Sequence, residues 1–500
     1  MVVLDSSVAN VSLPHIAGSL SASIDEASWV ISSFLVANAV IIPISGWLAD
    51  MIGRKRYYMM SVALFTGASF LCGMSPNLSI LIIARVLQGI GGGGLAPVEQ
   101  SMLADTFPPE KRGLAMAAYG VVVIVAPVAG PTIGGYITDT LTWNWIFFIN
   151  IPFGIASLLL VSTFVVESEA IRRHTRELHA KGVRFDYIGF ALVGLFLGCM
   201  EVMLDRGERD DWFSSPMITG FAVVSGLAFL AFIPWELSRE NPVVAIRLLA
   251  RRNFAITCTF MLLVGMVIFG TTLFIPQFLQ TVLGYTSTSA GEALSLGGIA
   301  TIITMPLAGI LTGRMDARWL VGGAFLIQAL ALWNMTGLNT QISFDDAAMA
   351  RMWQSVGIPF LFIPISTVAY VGLRPEYYNQ ASALMNVMRN IGGDIGIGIV
   401  QSMISERSQF HQARYAESLN PLNPNYNQAV NSLSQALTAQ GVPQGAAGPI
   451  ATAHIYQQLQ QQALMLSYVD IFYVMMIVLF LTLPLVLFMR APGRGQVHVE

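Results

Sequence analysis

Residues 46–56 read GWLADMIGRKR and lie between two long apolar runs, in a chain where clustered charges are rare. Asp50 and Arg54 are four apart, the spacing at which side chains meet on a helical turn. Gly46 and Gly53 take side chains away where two helices approach closely or where the backbone needs positive φ. A turn of this kind joins two membrane helices and pins them together on one side of the bilayer. Taken alone, the same residues also fit a solvated loop with ordinary helix-end charges.

The composition decides between soluble and membrane classes. Hydrophobic residues make up 54% of the 500 and charged residues 11%, against about 25% charged in soluble domains. Mean hydropathy is +0.63. A soluble core cannot hide that much apolar surface, so the chain is an all-α integral membrane protein. The net charge of −3 is uninformative about partners, and no basic stripe suggests nucleic acid. Cys72, Cys199 and Cys258 lie inside apolar segments. Their odd number implies packing rather than a disulfide framework. Met1 opens directly onto MVVLDSSVANVSLPHIA, without the basic flank or cleavage site of a signal peptide. The run is short for a span of ~20 residues, so the start of the first helix is expected to lie outside this numbering.

Apolar runs long enough to span fall at 1–18, 28–49, 57–75, 78–104, 114–136, 145–166, 186–204, 216–235, 254–280, 289–312, 319–338, 349–371, 380–405 and 467–489. That is fourteen, an even number, so both termini share one side. With the termini inside, the inner segments hold 19 Lys and Arg. The outer ones hold five (Arg206, Arg209, Arg351, Arg407 and Arg414), while Arg85 and Arg389 lie within spans. The positive-inside rule then makes both termini cytoplasmic. A charged inner stretch, 167–185, follows the sixth span. One outer segment is long, 406–466, rich in Gln, Asn and Ala, with helical spacing at Val430, Leu433 and Leu437. It reads either as a polar linker or as an external helical element that docks a partner. GILTGRMDAR at 309–318 echoes the turn at 46–56, keeping Gly309, Gly313 and Arg314 without the first acid. Weak repeats of this kind mark secondary transporters. The chain therefore divides into a six-helix bundle (1–166), an inner linker with two extra spans (167–253) and a second six-helix bundle (254–500).

Ionisable residues within spans are costly and default to function. Asp5 lies about twelve residues, or ~18 Å of helix, from the outer end of its span, and Arg85 lies ~12 Å inside span four. They meet if spans one and four pack together. Burial favours a neutral carboxyl and the guanidinium a charged one, which suits a group that exchanges protons; a static buried pair is the alternative. Asp394, in RNIGGDIGIG, follows Arg389 by five residues. It fits a second protonation or cation-substrate site, or a local pairing with Arg389. Glu99, near the inner end of span four, and Glu292 and Glu201, near outer ends where water can serve them, are weaker candidate acids. GVVVIVAPVAGPTIGG at 120–135 concentrates Pro127, Pro131, Gly130, Gly134 and Gly135, which kinks the span and opens a close-packed face. GIGGGG at 89–94 lacks the Lys-Ser/Thr of a phosphate loop and lies in a span. No catalytic or metal pattern occurs, and no cofactor is implied. The abundant Met and Phe fit packing, and also a deformable apolar-ligand cavity.

In series, LDSSVANVSLP, GWLADMIGRKR, ARVLQG, GVVVIVAPVAGPTIGG, WNWIFFINIPFG, LDRGERDDWFSS and LNPLNPNYNQA resemble the fourteen-span drug:proton antiporters of the major facilitator superfamily, of the EmrB/QacA type and its EmrB branch. The resemblance covers nearly the whole chain and is silent on substrate. It implies a major facilitator fold, proton coupling at Asp5 and Arg85, and exchange-type closure through 120–135. It makes Gly46, Asp50, Gly53 and Arg54 a gating loop. It also implies multidrug efflux from a bacterial inner membrane, antibiotic resistance, and a tripartite pump with a periplasmic membrane-fusion adaptor and an outer-membrane channel. Asp394 and Glu292 depart from the family pattern, where a small and an apolar residue are usual. The expected cargo is apolar or amphiphilic drugs exchanged for protons. A dedicated exporter of one metabolite, fatty acid or siderophore is the rival; a membrane-embedded enzyme lacks a nucleophile, metal set or phosphate site, and a scaffold has no use for Asp5.

Overall fold

Lipid offers the backbone no hydrogen-bond partners, so apolar runs must satisfy their own as helices. The computed structural model describes residues 1–167, 169–182, 185–285 and 287–489. The first part contains α1 (Val2–Val11), α2 (Leu13–Ser19), α3 (Ile24–Ala27), α4 (Trp29–Ile52), α5 (Arg54–Gly73), α6 (Leu78–Gly93), α7 (Leu95–Thr106), α8 (Pro109–Thr140), α9 (Trp145–Phe148) and α10 (Asn150–Phe164). A charged helix, α11 (Glu169–Ala180), precedes α12 (Tyr187–Arg206) and α13 (Pro216–Ser238). The last part contains α14 (Arg252–Thr281), α15 (Ser287–Thr312), α16 (Ala317–Met335), α17 (Phe344–Val368), α18 (Tyr378–Ala416), α19 (Pro424–Ala439) and α20 (Gln444–Thr482).

Single residues separate α1 from α2, α6 from α7 and α9 from α10, so helix covers every one of the fourteen apolar runs. Among the described residues, eight helical segments are long and apolar enough to cross a membrane. The span α18 is not one of them, and Arg389 and Asp394 interrupt its apolar part. Helices α4, α5, α6 and α10 pack with one another, α1 lies along α8, and α14 to α18 with α20 form a second set. The two sets meet where α8 contacts α15 and α17 and where α4 and α7 contact α18. Helices α12 and α13 pair, and α12 touches both sets through α4 and α18.

The turn at 46–56 shows why its residues are needed. Gly53 has φ +93°, which ends α4 and redirects the chain into α5. That break separates Asp50 from Arg54, so the expected pairing across one helical turn does not form. Asp50 instead accepts from Asn379 Nδ2 at 2.5 Å and Gln380 Nε2 at 3.4 Å. Arg54 donates to the Pro375 carbonyl at 2.9 Å and lies 3.3 Å from Asp105. The α4–α5 turn thus grips the start of α18. At Gly46 a Cβ would stand 3.0 Å from the Asn379 carbonyl oxygen, tighter than packing tolerates. The echo at 309–318 makes the reciprocal grip: Cβ atoms on Gly309 and Gly313 would lie 2.9 and 2.7 Å from the carbonyl oxygens of Gly113 and Glu110 at the start of α8. Helix α11 covers the first turn, with Thr175 Oγ1 donating to the Asp50 carbonyl at 3.0 Å.

Two sequence expectations change. Arg351, counted among the outer charges, is buried inside α17. The 406–466 segment is helical, not a linker: α18 and α20 project beyond their apolar parts, and α19, carrying Val430, Leu433 and Leu437, packs on α20. A cleft of about 740 Å³ between them is lined by Ala416, Leu419, Tyr426, Pro449 and Tyr456, among others. Arg184, Arg490 and Arg494, which count toward the inner charges, lie outside the described residues.

Gly53→Ala should lower the thermal unfolding midpoint in detergent, because a side chain at this positive φ costs roughly 1–3 kcal/mol. Gly18→Ala, at a glycine with open space around it, should leave the midpoint in place. Equal midpoints for the two variants would contradict the strain assigned to Gly53.

Candidate functional site

Arg85 and Gln88 lie three apart on α6 and share a face. That face points at Asp5 of α1. Arg85 Nη1 is 2.5 Å from Asp5 Oδ2 and 2.7 Å from Gln88 Oε1, and its Nε donates to the Val30 carbonyl of α4 at 2.9 Å. Asp5 Oδ1 accepts from Gln88 Nε2 at 2.9 Å and from Asn150 Nδ2, in the first turn of α10, at 2.7 Å. Gln88 also donates to Ser69 Oγ of α5 at 2.8 Å. The Phe34 ring lies 4.2 Å from the guanidinium carbon. Arg85 and Asp5 are both buried. Each oxygen of the carboxylate is engaged, which is what a buried charge requires.

Close approach of α8 supports this cluster. Gly130 lies against Ser7 and Gly134 against Val8, so α8 rides directly on the α1 segment that carries Asp5. Gly135 faces open space. Helix α8 continues through Pro127 and Pro131; the side chains of these two prolines lie outside the described residues.

Asp394 and Arg389 do not pair. Five residues on a helix turn their side chains about 140° apart, and each faces a different neighbour. The Asp394 carboxyl stands within hydrogen-bond reach of the buried Glu201 carboxyl on α12, with Asp205 near both. Asp205 in turn accepts from Ser32 of α4. Arg389 faces Tyr119 of α8, across the junction of the two helix sets, and its Nε and Nη1 are buried without an acceptor. Glu99 accepts from Tyr58 Oη at 2.9 Å. Glu292 is exposed near the start of α15 and joins none of these groups. No cluster of His, Cys, Asp and Glu suited to a metal ion occurs among the described residues.

Sequence reading missed Gln88 and Asn150 around Asp5, and Asn379 and Gln380 as the anchors of the turn. Gln88 carried a signal, its i, i+3 spacing from Arg85. Neutral amides scattered over other helices carried none.

The family model described as Major Facilitator Superfamily matches residues 1–397. The chain is 39% identical over 504 residues to the multidrug export protein EmrB of Escherichia coli K12, covering 100% of this chain and 95% of that protein. It is 35% identical to the fatty acid resistance protein FarB of Neisseria gonorrhoeae, covering 98% and 94%. Among solved structures, a double-tryptophan mutant of XylE aligns with a TM-score of 0.60 at 14% identity, over 99% of this chain and 94% of that one.

Asp5→Leu should destabilise the protein by about 3–5 kcal/mol, because it leaves Arg85 buried and unpaired. Adding Arg85→Leu should recover much of that loss in a double-mutant cycle read by unfolding in detergent. Additive losses would show that the two groups are not energetically coupled.

Proposed function

Since the chain belongs to the Major Facilitator Superfamily, we propose that it is a secondary transporter that exports apolar and amphiphilic drugs in exchange for protons. The observation that carries this reading is the buried Asp5–Arg85 pair with its neutral amide walls. A proton on Asp5 removes one charge from the pair and weakens it, and the five helices that meet there are then free to repack. A ligand shifts such a balance only through different affinity for the two arrangements, and a proton on a buried carboxylate has that property.

The proposed cycle is alternating access between two six-helix bundles, 1–166 and 254–500, with 167–253 supplying an inner linker and two of fourteen spans. The grips at 46–56 and 309–318 lie between the bundles and hold the cytoplasmic side closed, with Gly46, Asp50, Gly53 and Arg54 forming the latch. The Glu201–Asp394 contact is a second proton-binding position, between an extra span and the second bundle. The excess of Lys and Arg on one side supports a multi-pass protein of the bacterial inner membrane with both termini cytoplasmic. The projecting helices at 406–466 form the docking element for a periplasmic membrane-fusion adaptor and, through it, an outer-membrane channel. A narrower reading, export of fatty acids, is favoured by the similarity to the fatty acid resistance protein FarB.

In energised proteoliposomes, adding a cationic amphiphile such as ethidium should release protons, and Asp5→Asn should abolish gradient-driven efflux while substrate binding stays measurable. Drug flux without proton movement would sink the antiport reading, and retained efflux in Asp5→Asn would remove Asp5 from coupling. Deleting 417–443, which spares α18 and α20, should reduce crosslinking to a co-expressed adaptor; unchanged crosslinking refutes the docking role.

A further inference from the structure

The Ala-Arg-x-x-Gln run that carries Arg85 and Gln88 recurs at 350–354 as ARMWQ. Arg351 is the eighth residue of α17, as Arg85 is of α6. The correspondence extends to contacts. Arg351 Nη1 donates to Gln354 Oε1, as Arg85 Nη1 does to Gln88 Oε1. Gln354 Nε2 reaches the first helix of its own set at Thr271 Oγ1 of α14, 2.7 Å away, where Gln88 Nε2 reaches Asp5 of α1. A third helix joins in both halves: Gln328 of α16 donates to the Gln354 carbonyl at 2.7 Å, and Ser69 of α5 meets Gln88. One element differs. Thr271 stands where the first half has its acid.

The consequence is a guanidinium without an anion. Arg351 is 4% exposed and its Nε has no acceptor. Every Asp and Glu before residue 490 is described, and none forms an ion pair with Arg351, whereas Arg85 has Asp5. Arginine stays charged throughout the physiological range, and a desolvated charge without a counter-charge is the least favourable content a helix bundle can hold. Helix α15 packs closely here, because a Cβ on Gly297 would stand 2.5 Å from Ser355 Oγ and 3.2 Å from Arg351 Cγ.

We propose that Arg351, held by Gln354 opposite the position of Thr271, is an anion-binding site that takes the carboxylate head of an anionic amphiphile. The incoming carboxylate occupies the role that Asp5 fills permanently in the first half. Planar, forked guanidinium groups suit a carboxylate. A free inorganic anion such as chloride shares the head's chemistry and is separated from it below. That the amphiphile is cargo rests on the export reading; that it binds at Arg351 does not.

The test uses the full-length protein in nanodiscs, with radiolabelled decanoate and decyltrimethylammonium as probes of equal chain length and opposite charge. Arg351→Gln should weaken decanoate binding by at least about tenfold, the size of one buried charge-assisted contact, and change decyltrimethylammonium binding less than about twofold. Thr271→Asp installs a resident carboxylate and should give the same selective loss with the guanidinium paired, which separates loss of the site from loss of the fold. Decanoate binding that is absent in the wild type, equal in all three proteins, or lost in step with the cationic probe overturns the proposal. A chloride-dependent thermal stabilisation that vanishes in Arg351→Gln while decanoate binding is unchanged assigns the site to inorganic anion and also overturns it. Decanoate bound through Arg351 but never transported would sink the export reading and leave the site standing.

Discussion

A guanidinium in the interior of a bilayer is costly without a counter-charge, and neither lipid nor bulk water supplies one there. Arg85 answers that constraint, and the first half of the chain is arranged around the answer. Its partners come from α1, α4, α6 and, through Gln88 and Asp5, from α5 and α10. Five helices are therefore held by one polar knot in an otherwise apolar bundle. The knot is also its most sensitive point, since a polar network that is fully satisfied stabilises and a partly satisfied one does the reverse.

The two grips at the junction of the halves are of a different character. They rely on glycine at the contact and on backbone carbonyls and amides as partners, rather than on ion pairs sealed from water. Asp50 to Asn379 and Arg54 to the Pro375 carbonyl join α4 and α5 to the start of α18; Gly309 and Gly313 seat the α15–α16 turn on α8. Contacts of this kind are short-ranged and separate as a unit when one helix set tilts. Rigid knots inside each half and separable grips between halves are the mechanical requirements of rocking motion.

The halves resemble each other in layout and differ in chemistry. Both carry Ala-Arg-x-x-Gln at the same depth of the corresponding helix, and both turn the glutamine toward the first helix of the set. Only the first half closes the arrangement with an acid. The second half carries its interior acid elsewhere, at Asp394, which faces Glu201 of α12. The extra helices α12 and α13 are thus tied to both sets, through Ser32–Asp205 on one side and Glu201–Asp394 on the other.

Composition alone determined that the chain lives in a membrane, and apolar run length determined where its helices lie, because both follow from a property each residue carries by itself. Asp5 and Arg85 were legible for the same reason: a charge inside a span is conspicuous wherever its partner is. The helical content of 406–466 was half legible in the spacing of Val430, Leu433 and Leu437. Partner choice was not legible. Asp50 and Arg54 sit at a helical spacing, yet the φ of Gly53 sends them to α18 and α7. Arg389 and Asp394 are close in sequence, yet helical rotation points them at α8 and α12. Asn150, Asn379 and Gln380 are neutral amides that no local pattern distinguishes from surface residues. Which donor meets which acceptor depends on how helices far apart in sequence cross, and that geometry exists only in the tertiary structure.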